Sequence, residues 1–452
     1  MHVLNPATGQ VLREIPEHDA DEVERRLARA VAAFADWRRV PLGERAARLR
    51  AAGAVLRPER DALARLMTEE MGKPIAQAEA EVEKCASACD HFAAHGPADL
   101  ESLTIATDAA ESFVRFDPLG PVLAVMPWNF PLWQVFRAAV PALLAGNVVL
   151  LKHASNVPGS ALAAERVFAD AGCPPGVFTT LLIGASAAEA LVAHPAIAAL
   201  TLTGSEAAGI ALAARAGAAL KKCVLELGGS DAFVVLADAD PAHVAAQAVA
   251  ARTINNGESC IAAKRFIVEE PIAERFEWLF AQRMARLRVG DPMDRATELG
   301  PLARADLVDA LERQVQESVA RGARIVTGGS RLARPGSFYA PTVLAHVTPG
   351  MPAFDEETFG PVAAVTRARD ARHALELANQ SRFGLGASVW TSDPARGREL
   401  ARDLDAGSVF VNGMVRSDAR LPFGGIKHSG HGRELSTFGL REFVNVKTVW
   451  VR

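Results

Sequence analysis

No stretch of this sequence approaches the ~18 to 20 consecutive apolar residues of a membrane span, and the opening MHVLNPATGQ lacks the pattern of a secretory signal. A cytoplasmic protein is expected. Neither sign of charge is in excess. The formal net charge is −4 over 452 residues, which gives nucleic acid and anionic membranes no electrostatic reason to bind. Cysteine is scarce and odd in number, with Cys85, Cys89, Cys173, Cys223 and Cys260 at scattered spacings. C-x-x-C, H-E-x-x-H and paired Cys/His spacings are missing, so disulfides, structural zinc and a metal centre are not expected. The dinucleotide fingerprint G-x-G-x-x-G is absent as well. What remains is 50% hydrophobic and 23% charged, the composition of a globular chain with room for two or three domains.

The hydrophobic pattern predicts an α/β fold. DADEVERRLARAVAAFADW (19–37) places Val23, Leu27, Ala30, Val31, Phe34 and Trp37 on one helical face behind capping aspartates. More helix follows to about residue 95, where Cys85 and Cys89 fall one turn apart as packing residues. Residues 103–118 read as an extended pair of strands. From residue 120, short β-rich runs (VLAVM, VVLLK, FTTLLI, ALTLT, CVLEL) alternate with helices starting near Leu132, Pro158, Ser186 and Ser205. Such alternation predicts a parallel sheet covered on both faces, with its ligand at the carboxyl ends of the strands. A second α/β unit begins near Gly228, with strands DAFVVLA, RFIVEE, ARIVTG, AAVTRA and ASVWTS. The closing EFVNVKTVWVR alternates like a strand and needs a partner, from this chain or another subunit.

Several short motifs carry candidate chemistry. NNGESC (255–260) sets Cys260 at a turn just before a strand, where backbone can approach a ligand. LTGSEAAG (202–209) follows a strand and opens a helix whose first N–H groups suit a phosphate, although a plain strand-to-helix turn reads the same way. In VLELGGSD, Glu226 ends a strand in an apolar setting. It is either a general base with a raised pKa or the partner of a buried cation. PWNFP (127–131) offers the Asn129 amide as an oxyanion donor. DEETFGPV (355–362) and LPFGGIKHSGHGRE (421–434) complete the set.

In this order and at about these separations, the motifs resemble the aldehyde dehydrogenase superfamily, from NPATGQ to the terminal strand. The resemblance implies two Rossmann-like doubly wound α/β domains plus a small β oligomerisation element. Residues 1–102 and 119–227 would bind cofactor, 228–428 would form the catalytic domain, and 103–118 with 441–452 would mediate assembly into a homodimer or homotetramer. It also implies that Cys260 attacks the aldehyde carbon, while Asn129 and the Cys260 N–H hold the oxyanion. Hydride then passes to a nicotinamide, leaving a thioester that Glu226 hydrolyses through water. Lys152 would contact the adenosine ribose, Ser205 the pyrophosphate, and Glu357 with Phe359 the nicotinamide ribose. Trp128, Gly204, Leu227 and Gly228 would line the remainder of that site.

Departures from the family pattern sharpen the expectations. The common K-P-S-E stretch is KHAS here, with Ser155 where a glutamate often binds the 2′-hydroxyl. A serine beside Lys152 tolerates a 2′-phosphate, which favours NADP over NAD; serine is equally compatible with both cofactors binding. A common lysine is replaced by Ala138. The glutamine two residues before the cysteine is Glu258, whose charge would disfavour the thiolate. Arg137, about two helical turns beyond Asn129, matches an arginine that grips the substrate carboxylate in succinate-semialdehyde dehydrogenases, although a surface salt bridge would also explain it. NGMVRSDARLPFGG resembles the short bacterial members of that group and offers Ser417 as a second contact. A second arginine of the group is Ile254 here. The reaction implied is NAD(P)-dependent oxidation of succinate semialdehyde. The alternatives are another semialdehyde or aliphatic aldehyde, a coenzyme A-acylating relative (disfavoured by Glu226), a cofactor-free thiol esterase, and a non-catalytic protein that kept the fold.

Overall fold

The computed structural model describes residues 1–452, and its architecture follows from short β-branched runs set between alanine-rich helices. The first sheet has six strands in the order Gly430–His431, Lys222–Glu226, Ala199–Thr203, Pro121–Met126, Val148–His153, Phe178–Thr180. All its pairings are parallel except the first, which is antiparallel. Every residue of Val148–His153 is buried, as a strand covered on both faces requires. FTTLLI is shorter than its composition suggests: the strand stops at Thr180, although Leu181 N–H still donates to the Leu151 carbonyl at 2.7 Å.

The second sheet runs Arg324–Thr327, Thr342–Ala345, Val362–Ala368, Arg265–Glu269, Ala232–Val235, Gly386–Trp390, Ser408–Val411. Its period-2 logic is plain in Ala232–Val235. Ala232 and Val234 join one apolar cluster, whereas Phe233 and Val235 join another on the opposite face. ARIVTG forms the edge and runs antiparallel to its neighbour.

Helices bury the faces of the first sheet. Ala20–Trp37 starts where Asp19 accepts a hydrogen bond from Glu22 N–H at 2.8 Å. It buries Leu27, Ala30 and Trp37, but Val31, expected on the same face, is 44% exposed because it turns off the stripe. Three helices follow it, Leu42–Leu56, Arg60–Met71 and Ile75–Asp99, the last ending a turn beyond the expected residue 95.

The terminal strand Val444–Val451 finds its partner in this same chain. It pairs antiparallel along its whole length with Glu111–Pro118, which also pairs with Leu103–Thr104. An N-terminal hairpin, His2–Leu4 with Val11–Glu14, went unread in the sequence because each arm is so short.

The site is positioned by the two main sheets together. Pro127, Gly204 and Leu227 each follow directly on strands of the first sheet, at their carboxyl ends. Cys260 and Glu357 lie in loops that lead into Arg265–Glu269 and Val362–Ala368 of the second. The cleft therefore opens where the carboxyl edge of one sheet faces the amino edge of the other.

Candidate active site

Helix Pro241–Thr253 runs into three successive left-handed residues: Asn255 (φ 54°), Asn256 (φ 60°) and Gly257 (φ 80°). Asparagine is the non-glycine residue that best tolerates this region, because its short amide bonds locally. Here the Asn255 amide donates to the carbonyls of Asn129 (2.7 Å) and Glu258 (3.0 Å). The Asn256 amide donates to Gly72 and Pro301 carbonyls and accepts from Gly300 N–H. Gly257 has no alternative, since a Cβ there would stand 2.4 Å from the Gly360 backbone. The turn delivers Cys260, partly exposed, to the cleft wall, and the Lys264 ammonium clamps the exit by donating to the carbonyls of Ser259 (2.8 Å) and Cys260 (2.7 Å).

Cys260 shares a cleft with Trp128, Asn129, Gly204, Ser205, Leu227, Gly228, Glu357 and Phe359, the greater part of the expected site. The Asn129 amide donates to the Glu258 carbonyl at 3.0 Å, and its oxygen accepts from Gln134 at 3.1 Å. Those bonds orient the amide and leave its second N–H without a protein acceptor in the cleft that Cys260 also lines. Burial pushes the Cys260 thiol up to about 12; Arg137 and Lys264 offset part of the rise, while Glu357 and Asp231 add to it. Glu258, two residues before the thiol, is tied elsewhere. Its carboxyl turns away to accept from Ala303 N–H (2.9 Å), and burial raises it well above the usual carboxylate range.

The other end of the cleft fits a dinucleotide. Ser205 caps helix Glu206–Ala218, accepting from Ala208 N–H at 3.3 Å, so the N-terminus of that helix faces the cleft. Trp128 and Phe359 meet edge to face at 5.8 Å, and the Arg304 guanidinium lies 5.5 Å from the Trp128 ring. Glu357 accepts from Gly229 N–H (3.0 Å) and lies 3.3 Å from the Lys264 ammonium. A Cβ on Gly228 would collide with that carboxylate at 2.4 Å, and one on Gly229 with the Cys260 carbonyl at 2.6 Å. Gly229 is thus required by close approach of main chain, whereas a side chain at Gly228 would displace the Glu357 carboxylate.

Lys152 and Ser155 do not line this cleft. They sit at the end of Val148–His153 and in the turn beyond it, the lysine buried and its ammonium lowered by desolvation, the serine exposed. Between them His153 fixes the PWNFP loop. Its Nδ1 accepts from Ala154 N–H (2.9 Å), which leaves Nε2–H to donate to the Pro131 carbonyl (2.8 Å). Burial lowers this imidazole to about 4. A group depressed on folding stabilises the protein above its unfolded pKa near 6.5 and loses that contribution as pH falls toward 4. His153→Gln is therefore expected to flatten the acid side of the thermal-midpoint profile between pH 6.5 and 4, a range over which the imidazole withdraws about 3 kcal/mol. A profile unchanged by the substitution would contradict this.

Glu226 lies one residue behind the cleft wall, next to Leu227. Both its carboxylate oxygens are buried without a hydrogen-bond partner. Burial, then the neighbouring Glu434 carboxylate, raise its pKa well above the usual range, against the pull of Arg137 and Arg433. A carboxylate paired to its own cation is thus not what is seen, because the ion pair to Arg137 goes to Glu434 instead. Arg137 is no surface residue: it is buried, its guanidinium also donates to the Thr203 hydroxyl (3.2 Å), and it stacks 4.6 Å from the Phe423 ring. Ser417 sits apart on a flanking cavity, its oxygen accepting from Lys84 (2.7 Å) and from Trp133 Nε1 (3.1 Å). Sequence reading passed over Gln134, Lys264, Glu434 and Lys84. Only Glu434, inside the glycine-rich motif already singled out, carried a local signal.

The comparisons agree with this geometry. A profile described as the aldehyde dehydrogenase family matches residues 1–449. The chain is 53% identical to a succinate semialdehyde dehydrogenase, NAD(P)+, of Escherichia coli (strain K12), over 99% of this chain and 97% of that one. It is 50% identical to a succinate-semialdehyde dehydrogenase, NADP(+), of Mycobacterium ulcerans (strain Agy99), over 99% and 98%. Among solved structures, a succinic semialdehyde dehydrogenase from Streptococcus pyogenes in complex with NADP+ superposes with a TM-score of 0.97 at 36% identity, covering 100% of this chain and 99% of that one. With two sheets facing across a thiol-bearing cleft, and full-length likeness in both sequence and structure, this chain belongs to the aldehyde dehydrogenase family.

Proposed function

We propose that this enzyme oxidises succinate semialdehyde to succinate with NADP or NAD. The observation that carries the chemistry is the meeting of the Cys260 thiol and the oriented Asn129 amide on one cleft wall. The substrate and cofactors are those named for relatives of half-identical sequence over the full length.

Each residue has a role its surroundings support. Cys260, its proton lost to solvent, attacks the carbonyl carbon as thiolate, and the Asn129 N–H with the Cys260 backbone N–H stabilises the oxygen as it gains charge, an arrangement worth about 100- to 1,000-fold per donor. The sulfur holds the carbon first as a tetrahedral adduct and, once hydride has left, as a thioester. Glu226, a stronger base than an exposed carboxylate, removes a proton from the water that releases the acid. Held by Trp128, Gly204, Ser205, Leu227, Gly228, Glu357 and Phe359, a bound nicotinamide cofactor would supply the hydride acceptor. Lys152 and Ser155 would contact its adenosine ribose, and the serine favours NADP. Arg137 and Ser417 belong to the substrate side.

The same reading assigns cofactor binding to residues 1–102 and 119–227 and catalysis to 228–428. Strands 103–118 and 441–452 serve assembly: Val444–Val451 is an edge strand with Val446 61% and Trp450 49% exposed, suited to a homodimer or homotetramer. A cytoplasmic location accords with five unpaired cysteines and with no helix long and apolar enough to cross a membrane.

The test is an initial-rate matrix of aldehydes against both cofactors. Succinate semialdehyde with NADP is expected to give the highest kcat/KM, about 100-fold above butyraldehyde, the margin a dedicated charge contact provides. Equal efficiency for the two aldehydes would remove the substrate assignment. Ester cleavage with no absorbance change at 340 nm would instead favour a cofactor-free esterase.

A further inference from the structure

Beneath the thiol turn lies a charge that the reaction steps do not employ. Lys264 is fully buried, yet it stands four residues after the nucleophile, directly before strand Arg265–Glu269. The start of that strand is pinned, because the Arg265 guanidinium donates to the carbonyls of Ser230, Leu377 and Ala378. The lysine stem therefore leaves a fixed point of the second sheet. Its nitrogen meets three acceptors: the Ser259 carbonyl at 2.8 Å, the Cys260 carbonyl at 2.7 Å and a Glu357 carboxylate oxygen at 3.3 Å. Three acceptors call for three N–H donors, which only the ammonium form has. The charged groups around it are Glu357, Asp231 and Arg252, with the Cys260 thiol. Arg252 is equally buried and donates to the Gly257 carbonyl, so two cations underlie the turn.

Such a charge is costly to bury, and a neutral amide could tie the same carbonyls. What the charge adds lies in the peptide it touches. The Ser259 carbonyl and the Cys260 N–H belong to one peptide group, and that N–H donates to no group of the protein. The Ser259 oxygen accepts from Lys264 and also from Ala262 N–H at 3.1 Å. Hydrogen bonds at the carbonyl end of an amide draw electron density toward the oxygen and make the N–H a stronger donor, the more so when they come from a cation. The Asn129 amide is built on the same plan with a neutral partner, since its oxygen accepts from Gln134 at 3.1 Å.

We infer that Lys264 is a positioning residue of the oxyanion site, which strengthens the Cys260 N–H as a donor by placing a cation on the carbonyl end of the Ser259–Cys260 peptide. The inference rests on the cysteine chemistry proposed above.

The test uses the full-length enzyme in a Glu226→Gln background, where turnover is expected to stop at the thioester, with succinate semialdehyde and NADP. Two quantities are read. One is the first-turnover rate constant of NADP reduction. The other is the infrared carbonyl stretch of the accumulated thioester, which falls as donors to its oxygen strengthen. Lys264→Met and Lys264→Gln are both expected to raise that frequency. Both should also slow the first turnover about tenfold, part of the roughly 100- to 1,000-fold that a whole oxyanion donor is worth. Glutamine keeps an N–H donor without the charge, and it carries the test if the methionine variant does not fold. Were Lys264 only a tie for the turn, the glutamine variant would keep the rate within about threefold, or the frequency would stay in place. Either result overturns the inference and leaves the cysteine chemistry standing. Absence of both reduced cofactor and thioester in the Glu226→Gln parent overturns that chemistry, and this assignment with it.

Discussion

Cys260→Ala is expected to abolish aldehyde oxidation, with a fall in kcat of about ten-thousand-fold or more, ~5 kcal/mol of transition-state stabilisation. The size follows from the reaction type. Without sulfur there is no covalent adduct from which hydride can leave, and no neighbouring group can replace it, because Cys85, Cys89 and Cys173 are buried in the core and Cys223 lies on another strand. Folding should survive, since the thiol turn is held by Asn255, Asn256 and Lys264 rather than by the sulfur. The check is steady-state rate together with mass spectrometry of a quenched wild-type reaction. The acyl adduct should sit on the peptide that contains Cys260, and an adduct elsewhere would overturn the assignment.

Glu226→Gln should separate the two halves of the reaction. The first half needs the thiol and the Asn129 amide, so one equivalent of reduced cofactor per site should appear rapidly. The second half needs a base for water, so the steady-state rate should then fall by about 100- to 10,000-fold, the usual contribution of general-base catalysis. The environment supports this split. Arg137 is committed to Glu434, leaving Glu226 without a cation of its own and with a pKa raised by burial and by its like-charged neighbour. The variant should accumulate the thioester on Cys260. A normal steady-state rate would show that another group activates the water.

The sequence was most legible where one local rule decided the structure. Asn-Asn-Gly before Ser-Cys could be read as a turn because those residue types accept left-handed backbone, and the three residues do so in succession. Strands of the parallel sheet were legible for the same reason: a doubly covered strand reads as a near-continuous apolar run, as Val148 to Leu151 does. Legibility failed where partners lie far apart in the chain. Nothing near Arg137 announces Glu434, and nothing in EVEKCASACD distinguishes Lys84 from a solvated helix lysine. The direction of the Glu258 carboxyl was equally illegible, because the Ala303 N–H that holds it lies 45 residues away. The partner of the terminal strand could not be assigned either, since alternation specifies a pleated face but not what lies beside it.

The contact of Gly257 with Gly360 has a consequence for how such an enzyme can change its diet. Main chain touches main chain there, so the stretch that presents the sulfur has no slack in which a longer or bulkier variant could be tried. New aldehydes must be accommodated from the opposite bank, where side chains rather than main chain form the wall. The reactive centre would then be inherited unchanged while the lining of that bank drifts from one descendant to the next.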